Sequence, residues 1–326
     1  MDQINLWDKG RVTFMNGANP RIKKRKDFLD PDGSNKCRDH DGNGTHCIGV
    51  LRRVAPEADI YVARVATSRQ EGPSVNAVIE AISYAQAHWD VDIISLSFGF
   101  EEWVTPLERA IRAALDGSKT LFLAATLSSN YGTSRAMAFP ARMPDVISLH
   151  AADYSGQAAG ASPTVEYGKN LTILGVDVVS AWITPPPPPS SSSDLFAAAA
   201  STRKNGQTAT THAMTGTSVA TPVAAGVAAL VLEFAGQRDL DDPETDRVLQ
   251  KLGPFLRRQH GMNSVFRAMA VPTGAGEFLN IVPWNLLRAE TGSGSGSDSD
   301  NETLGRRMAA FALRSVIKNA FGQLIE

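Results

Sequence analysis

The chain has 326 residues, 43 % of them hydrophobic and 20 % charged, with a formal net charge of −2. That composition describes a globular protein with room for one large core. A near-neutral balance without basic clustering argues against a surface built for nucleic acid or anionic lipid. No apolar run approaches the roughly 18 to 20 residues that span a bilayer, and the start lacks the charged-then-apolar pattern of a secretory leader, so the expected location is inside the cell. The two cysteines, Cys37 and Cys47, are too few for a disulfide framework and read as reduced thiols.

In chain order, the basic run Arg21-Ile22-Lys23-Lys24-Arg25-Lys26 reads as a solvated strand edge. An Asp41-Gly42-Asn43 turn then leads into Gly44-Thr45-His46-Cys47. Beyond it, short apolar strands alternate with amphipathic helices, the pattern of a parallel sheet covered on both faces. Strands are expected at Ala58–Val65, Asp92–Phe98, Thr120–Ala125 and Val146–Ala151, with a helix at Ser74–His88. Thr105-Pro106-Leu107-Glu108 combines an N-cap, a Pro at the first helical position and an early Glu, which predicts a helix to about Leu115. After an apolar segment at Leu171–Trp182, five prolines (Pro185 to Pro189) and a serine run make 185–210 an exposed, nicking-prone loop. A docking site for a proline-recognising module is the less favoured reading of that loop. Ala220–Phe234 reads as an Ala-rich helix, and Asp242-Pro243 caps another that runs to about Leu252. The main domain is expected to cover 1–284, followed by a Gly/Ser/acidic linker (285–302) and a C-terminal amphipathic helix (303–326) with Ala309, Leu313, Val316, Ile317, Ala320 and Leu324 at helical spacing. That helix either packs on the domain or grips a partner.

The chemistry lies in an ordered set of motifs. Gly216-Thr217-Ser218 opens the Ala-rich helix, so the Ser218 hydroxyl stands where N–H groups and the positive dipole end meet developing negative charge. Alone, such a turn is most often a plain N-cap. Upstream, however, lie Gly44-Thr45-His46, the strand Asp92-Ile93-Ile94-Ser95-Leu96-Ser97-Phe98-Gly99, the turn Ser128-Ser129-Asn130-Tyr131-Gly132, and Phe139-Pro140-Ala141. In this order they resemble the subtilisin-like serine peptidases (subtilases). The resemblance implies an α/β fold with a mostly parallel central sheet and helices on both faces, the first strand being missing from this chain.

It also implies roles, and subtilisin itself is a standard worked case for serine triads and oxyanion holes, so these are carried by likeness. Ser218 would be the nucleophile, His46 the general base and Asn130 a side-chain oxyanion donor, although the turn before Asn130 is about two residues longer than usual. Ser97, Phe98 and Gly99 would form the strand edge that pairs with an extended polypeptide. Asn43 stands where the family usually has the first His of Gly-His-Gly-Thr-His, a position read as distinct from the base. Cys47 reads as a buried free thiol. Asp39, Asp41, Asn43 and Gly44 imitate the opening of an EF-hand loop, but Val50 occupies the place of its bidentate Glu. No cofactor is required, and calcium, common in the family, has no assignable ligands here.

The family's Asp-Thr/Ser-Gly motif is absent. Met1-Asp2-Gln3-Ile4-Asn5 resembles the family segment just C-terminal to that motif, so the expectation is a chain that starts immediately after it and belongs to a longer protein with additional domains. Asp2, Asp8 and Asp27 are weak surrogates, since none comes after a buried strand. Two functions remain open: a serine endopeptidase hydrolysing peptide bonds, with poor activity in this form, and a catalytically impaired pseudopeptidase that binds peptides through its sheet edge and C-terminal helix.

Overall fold

The computed structural model describes residues 21–30, 37–117, 120–126, 136–159, 165, 168–183, 203–204, 207–208, 211–238, 242–274, 277–287 and 298–321. Its centre is a six-stranded sheet in the order β11-β12-β6-β5-β4-β3. These strands are β3 (Ile93–Leu96), β4 (Leu121–Ala125), β5 (Ile147–Ala152), β6 (Leu171–Leu174), β11 (Ala270–Thr273) and β12 (Phe278–Ile281). All neighbours pair in parallel except β11 with β12. Every residue of β4 and β5 is buried, as continuous apolar runs covered on both faces require. Alternation along β4 divides the core: Leu121 and Leu123 face one side, Phe122 and Ala124 the other.

The helices follow that division. Leu121 and Leu123 meet α4 (Thr217–Gly236), α5 (Pro243–Leu256) and α6 (Gln259–Met269), whereas Phe122 meets α2 (Val75–Tyr84) and α3 (Thr105–Gly117). Ser74 caps α2 through its hydroxyl, and a π-helical turn (Ala85–Trp89) prolongs it. By length and composition α4 would cross a membrane, but two-thirds of its most apolar window is buried in this core, as a helix apolar on all sides should be. Two smaller strand pairs complete the frame: β1 (Ile22–Asp27) runs parallel to β2 (Ile60–Arg64), and β7 (Val178–Ala181) antiparallel to β10 (Thr211–Met214). Thus the basic run does lie on an edge strand. The Pro/Ser-rich stretch at 185–210 lies outside the described residues, apart from the two-residue pair β8 (Arg203–Lys204) and β9 (Gln207–Thr208).

Past Trp284 the chain forms α7 (Trp284–Leu287) and α8 (Asp298–Phe321). Ala310, Leu313 and Ile317 of α8 join the main core, and Arg307 pairs with the α5 cap residue Asp242 at 2.9 Å. Of the two fates expected for the C-terminal helix, packing on the domain is the one observed.

His150 on β5 is fully buried, with Nε2 3.0 Å from the Lys169 carbonyl and Nδ1 3.2 Å from the Thr126 hydroxyl. Burial pushes its pKa from 6.5 down to about 4, against a smaller upward pull from the Lys169 carbonyl. A histidine pKa lower in the folded than in the unfolded state gives stability that is complete above 6.5 and lost as pH falls toward 4. This one group is worth about 3 kcal/mol. Urea midpoints measured from pH 7 to pH 4 should therefore fall steeply, and His150→Gln should flatten that slope even where it lowers the midpoint at pH 7.

Candidate active site

Helix α1 (Asn43–Val54) and the start of α4 form the candidate site. Asp39 builds the entry to α1: its carboxylate accepts from the N–H groups of Asp41 (2.9 Å), Gly42 (2.8 Å) and Thr45 (2.7 Å). Those oxygens satisfy helix-end donors, and Asp41 pairs with Arg69 at 2.7 Å, so the EF-hand-like spacing serves backbone capping. Gly42 has a φ of 96°, and a Cβ there would lie 2.6 Å from the Trp182 indole, so only glycine fits.

The α4 end is shaped by two residues that cannot be ordinary. Gly216 sits at φ 153°, ψ 167°, a conformation open essentially to glycine alone, and its N–H donates to the Gly175 carbonyl at 2.8 Å. Pro222 lies inside the helix and has no N–H to give the carbonyl four residues earlier, which is that of Ser218. The Cys47 thiol, 3.4 Å away, fills that place. Burial pushes the thiol up to about 11, with a Ser97 hydrogen bond opposing and the Asp39 charge adding to the rise. Cys47 is therefore a protonated donor at neutral pH; it is a free thiol, but half-buried at the cleft rather than buried. Its sulfur also lies 3.9 Å from Asn43 Oδ1. Asn43 and Cys47, four residues apart, share one face of α1, and that face meets Ser218.

His46 is not on that face. It is fully buried, and its Nε2–H points at two main-chain carbonyls of the β7–β10 ribbon, Val178 (2.8 Å) and His212 (3.1 Å). The ring sits edge-on to Trp182 with centroids 6.3 Å apart, and Nδ1 has no partner among the described residues. Burial lowers its pKa, against the two carbonyl bonds, so the ring is neutral at pH 7. The general-base assignment of His46 is thus corrected: its one N–H is spent on the ribbon, and it does not line the cleft that holds Ser218. Helix phase is the physical reason, since position 46 is turned about 60° from position 43 and about 100° from position 47. Asn43, which the motif alone places apart from the base, occupies the cleft face, and its i, i+4 spacing to Cys47 was the available signal. Among the described residues no histidine hydrogen-bonds the Ser218 hydroxyl; His40, exposed, lines the cleft.

Ser97, Phe98 and Gly99 follow β3 and line the same cavity, of about 1450 Å³, as Asn43, Cys47 and Ser218. Gly99 allows close packing, since a Cβ there would lie 2.5 Å from Ala138 Cβ. Asn130 lies outside the described residues.

The Subtilase family model matches residues 13–254. Among individual relatives, an intracellular serine protease of Paenibacillus polymyxa is 29 % identical, covering 71 % of this chain and 69 % of its own. The subtilisin-like protease het-Q2 of Podospora anserina is 28 % identical over 85 % of this chain and 71 % of its own. Subtilisin E of Bacillus subtilis (strain 168) is 26 % identical over 62 % of this chain and 48 % of its own. In fold, the protease domain of PatA (in mutant form) is similar with a TM-score of 0.58 at 18 % identity, covering 81 % of this chain and 86 % of that one. A cold-adapted subtilisin-like serine proteinase gives 0.56 at 21 % identity, covering 81 % of each chain.

Close approach of α1 to α4 sets this geometry. A Cβ on Gly226 would lie 2.7 Å from both Val54 Cβ and Cγ1. Gly226→Val should destabilise the fold by about 1–3 kcal/mol, read as a lower urea midpoint, and should raise the reactivity of Cys47 toward a thiol reagent, because the Cys47–Ser218 contact spans the same helix pair.

Proposed function

The chain belongs to the Subtilase family and is a serine-type endopeptidase, a hydrolase, and from that premise we propose that Ser218 is its nucleophile, working in a catalytic centre weakened at Asn43. An extended polypeptide would lie along Ser97, Phe98 and Gly99, with its scissile carbonyl over the N-terminus of α4. There Ser218 would attack, and its own main-chain N–H, at the positive end of α4, would receive the oxyanion. Asn130 is the side-chain donor that the family resemblance assigns to the same oxyanion. The chemistry requires no cofactor.

One observation carries the weakened reading: Asn43 and Cys47 line the cleft that holds Ser218, while the imidazole of His46 is committed to the Val178 and His212 carbonyls. A carboxamide cannot take the serine proton at neutral pH, and loss of a positioned base costs on the order of 10²–10⁴ in rate. The same observation favours a second reading, in which the cleft holds peptides and cleaves them too slowly to matter. An intracellular setting is supported by the likeness to the Paenibacillus polymyxa protease so described.

The test is turnover of internally quenched peptides by the full chain. Asn43→His should raise kcat/KM by about tenfold or more, within the span that general-base catalysis provides, and Ser218→Ala should abolish the gain. Fluorescence anisotropy of an uncleaved labelled peptide separates the two readings of the parent: measurable Ser218-dependent turnover supports the weakened enzyme, binding alone the pseudopeptidase. Loss of turnover in a folded His46→Gln variant, with no change in Asn43→His, would restore His46 as the base and overturn the proposal.

A further inference from the structure

Helix α8 is held on the domain by Ala310, Leu313 and Ile317, which enter the core, and by Arg307, which pairs with Asp242 at the start of α5. Its outer side is therefore fixed in place. Arg307, Phe311, Arg314 and Lys318 follow one another along it at steps of four, three and four residues, within about 60° of arc on a helix that turns about 100° per residue. All four are exposed, Phe311 by 72 %, and Met308, three residues before it, by 44 %. Helix α5 adds Arg247 and Lys251, also exposed and four residues apart. These two share with Arg314 a small groove of about 230 Å³, whose other lining residues are Val248, Leu252 and Glu244.

Folding thus gathers five cations that a near-neutral composition disperses: two from α5 and three from α8. Arg307 is paired with Asp242, whereas Arg247, Lys251, Arg314 and Lys318 form no ion pair among the described residues, and Glu244 is the one carboxylate that lines the groove. A single exposed apolar side chain is ordinary. A phenyl ring and a thioether together, beside five cations, match the chemistry of an anionic bilayer surface. We propose that this α5–α8 face docks on anionic lipid, with the cations on the head groups and Phe311 and Met308 entering the acyl boundary. Clusters of about four to eight Lys and Arg on a helical surface draw a protein to anionic lipid, and apolar side chains among them supply depth. A helix ridge with a protruding ring suits a soft planar surface, whereas a folded partner would need a recess shaped to receive the ring. The family match ends at residue 254, so the α8 half of this face lies outside the matched residues. The proposal is independent of whether Ser218 cleaves peptides.

Co-sedimentation of the full chain with vesicles tests it, comparing phosphatidylcholine alone with phosphatidylcholine carrying about a third phosphatidylserine. The chain should pellet with the second and stay in solution with the first, and raising salt from about 0.05 M to about 0.5 M should release it, because screening weakens the attraction. Arg314→Gln combined with Lys318→Gln should weaken the affinity by about tenfold or more, at roughly fivefold per cation. Phe311→Ser should weaken it as well, and both variants should keep the urea midpoint of the parent, since the three side chains are exposed. If a variant does not fold, the lipid and salt dependence of the parent decides. No binding to the anionic vesicles, equal binding to the neutral ones, or folded variants that bind like the parent would overturn the proposal. So would capture of soluble polyglutamate in place of vesicles, which would assign the face to an acidic polypeptide, or self-association lost in Phe311→Ser, which would assign it to a second copy.

Discussion

The imidazole of His46 on the carbonyls of Val178 and His212 is the contact on which the geometry of the cleft depends. It pins one face of α1 to the β7–β10 ribbon. Ser180 reinforces it, its hydroxyl donating to the His46 carbonyl at 3.1 Å, and Gly49 allows it, since a Cβ there would meet the Ser180 hydroxyl. Once that face is committed, a helix of 3.6 residues per turn has no freedom left. Asn43 and Cys47 must face the cleft that holds Ser218, and the cleft receives an amide and a thiol from α1 where serine hydrolysis calls for an imidazole.

The helix bearing Ser218 shows how backbone chemistry is distributed across the site. Pro222 removes one N–H from α4, and the orphaned carbonyl is that of the nucleophile itself. A protonated thiol satisfies it from the neighbouring helix. Cys47 thereby acts as a spacer and donor between α1, β3 and α4, and its raised pKa follows from the same burial that makes the contact possible. Serine, thiol and amide are joined through the Cys47 sulfur into one packed unit, which ties the integrity of the cleft to the packing of α1 on α4.

Much of this was legible in the sequence. The strands Leu121–Ala125 and Ile147–Ala152, the helix starting at Thr105 and the turn ahead of Ser218 all declare themselves locally, through apolar runs, caps and glycines. His46 was misread because Gly-Thr-His is a local pattern, whereas the direction of each side chain is set by a ribbon more than 130 residues away. The buried stripe Thr45, His46, Gly49 and Val50 was the available signal that position 46 belongs to the core. Strands β11 and β12 escaped for a different reason: four residues each, with Pro272 in one and Asn280 in the other, they carry no periodicity long enough to separate from a loop.

His46 is a neutral structural residue with its proton on Nε2, while Asn43 lines the cleft that holds Ser218. Ring-nitrogen NMR of the histidines, recorded from pH 8 to pH 5 before and after phosphonylation of Ser218, or with a bound peptide if the serine resists labelling, addresses it directly. The His46 ring should stay in the Nε2–H tautomer, titrate below the ordinary histidine value and keep its shifts when the Ser218 site is occupied. A His46 ring that titrates at the ordinary value and responds strongly to occupation of that site would contradict it.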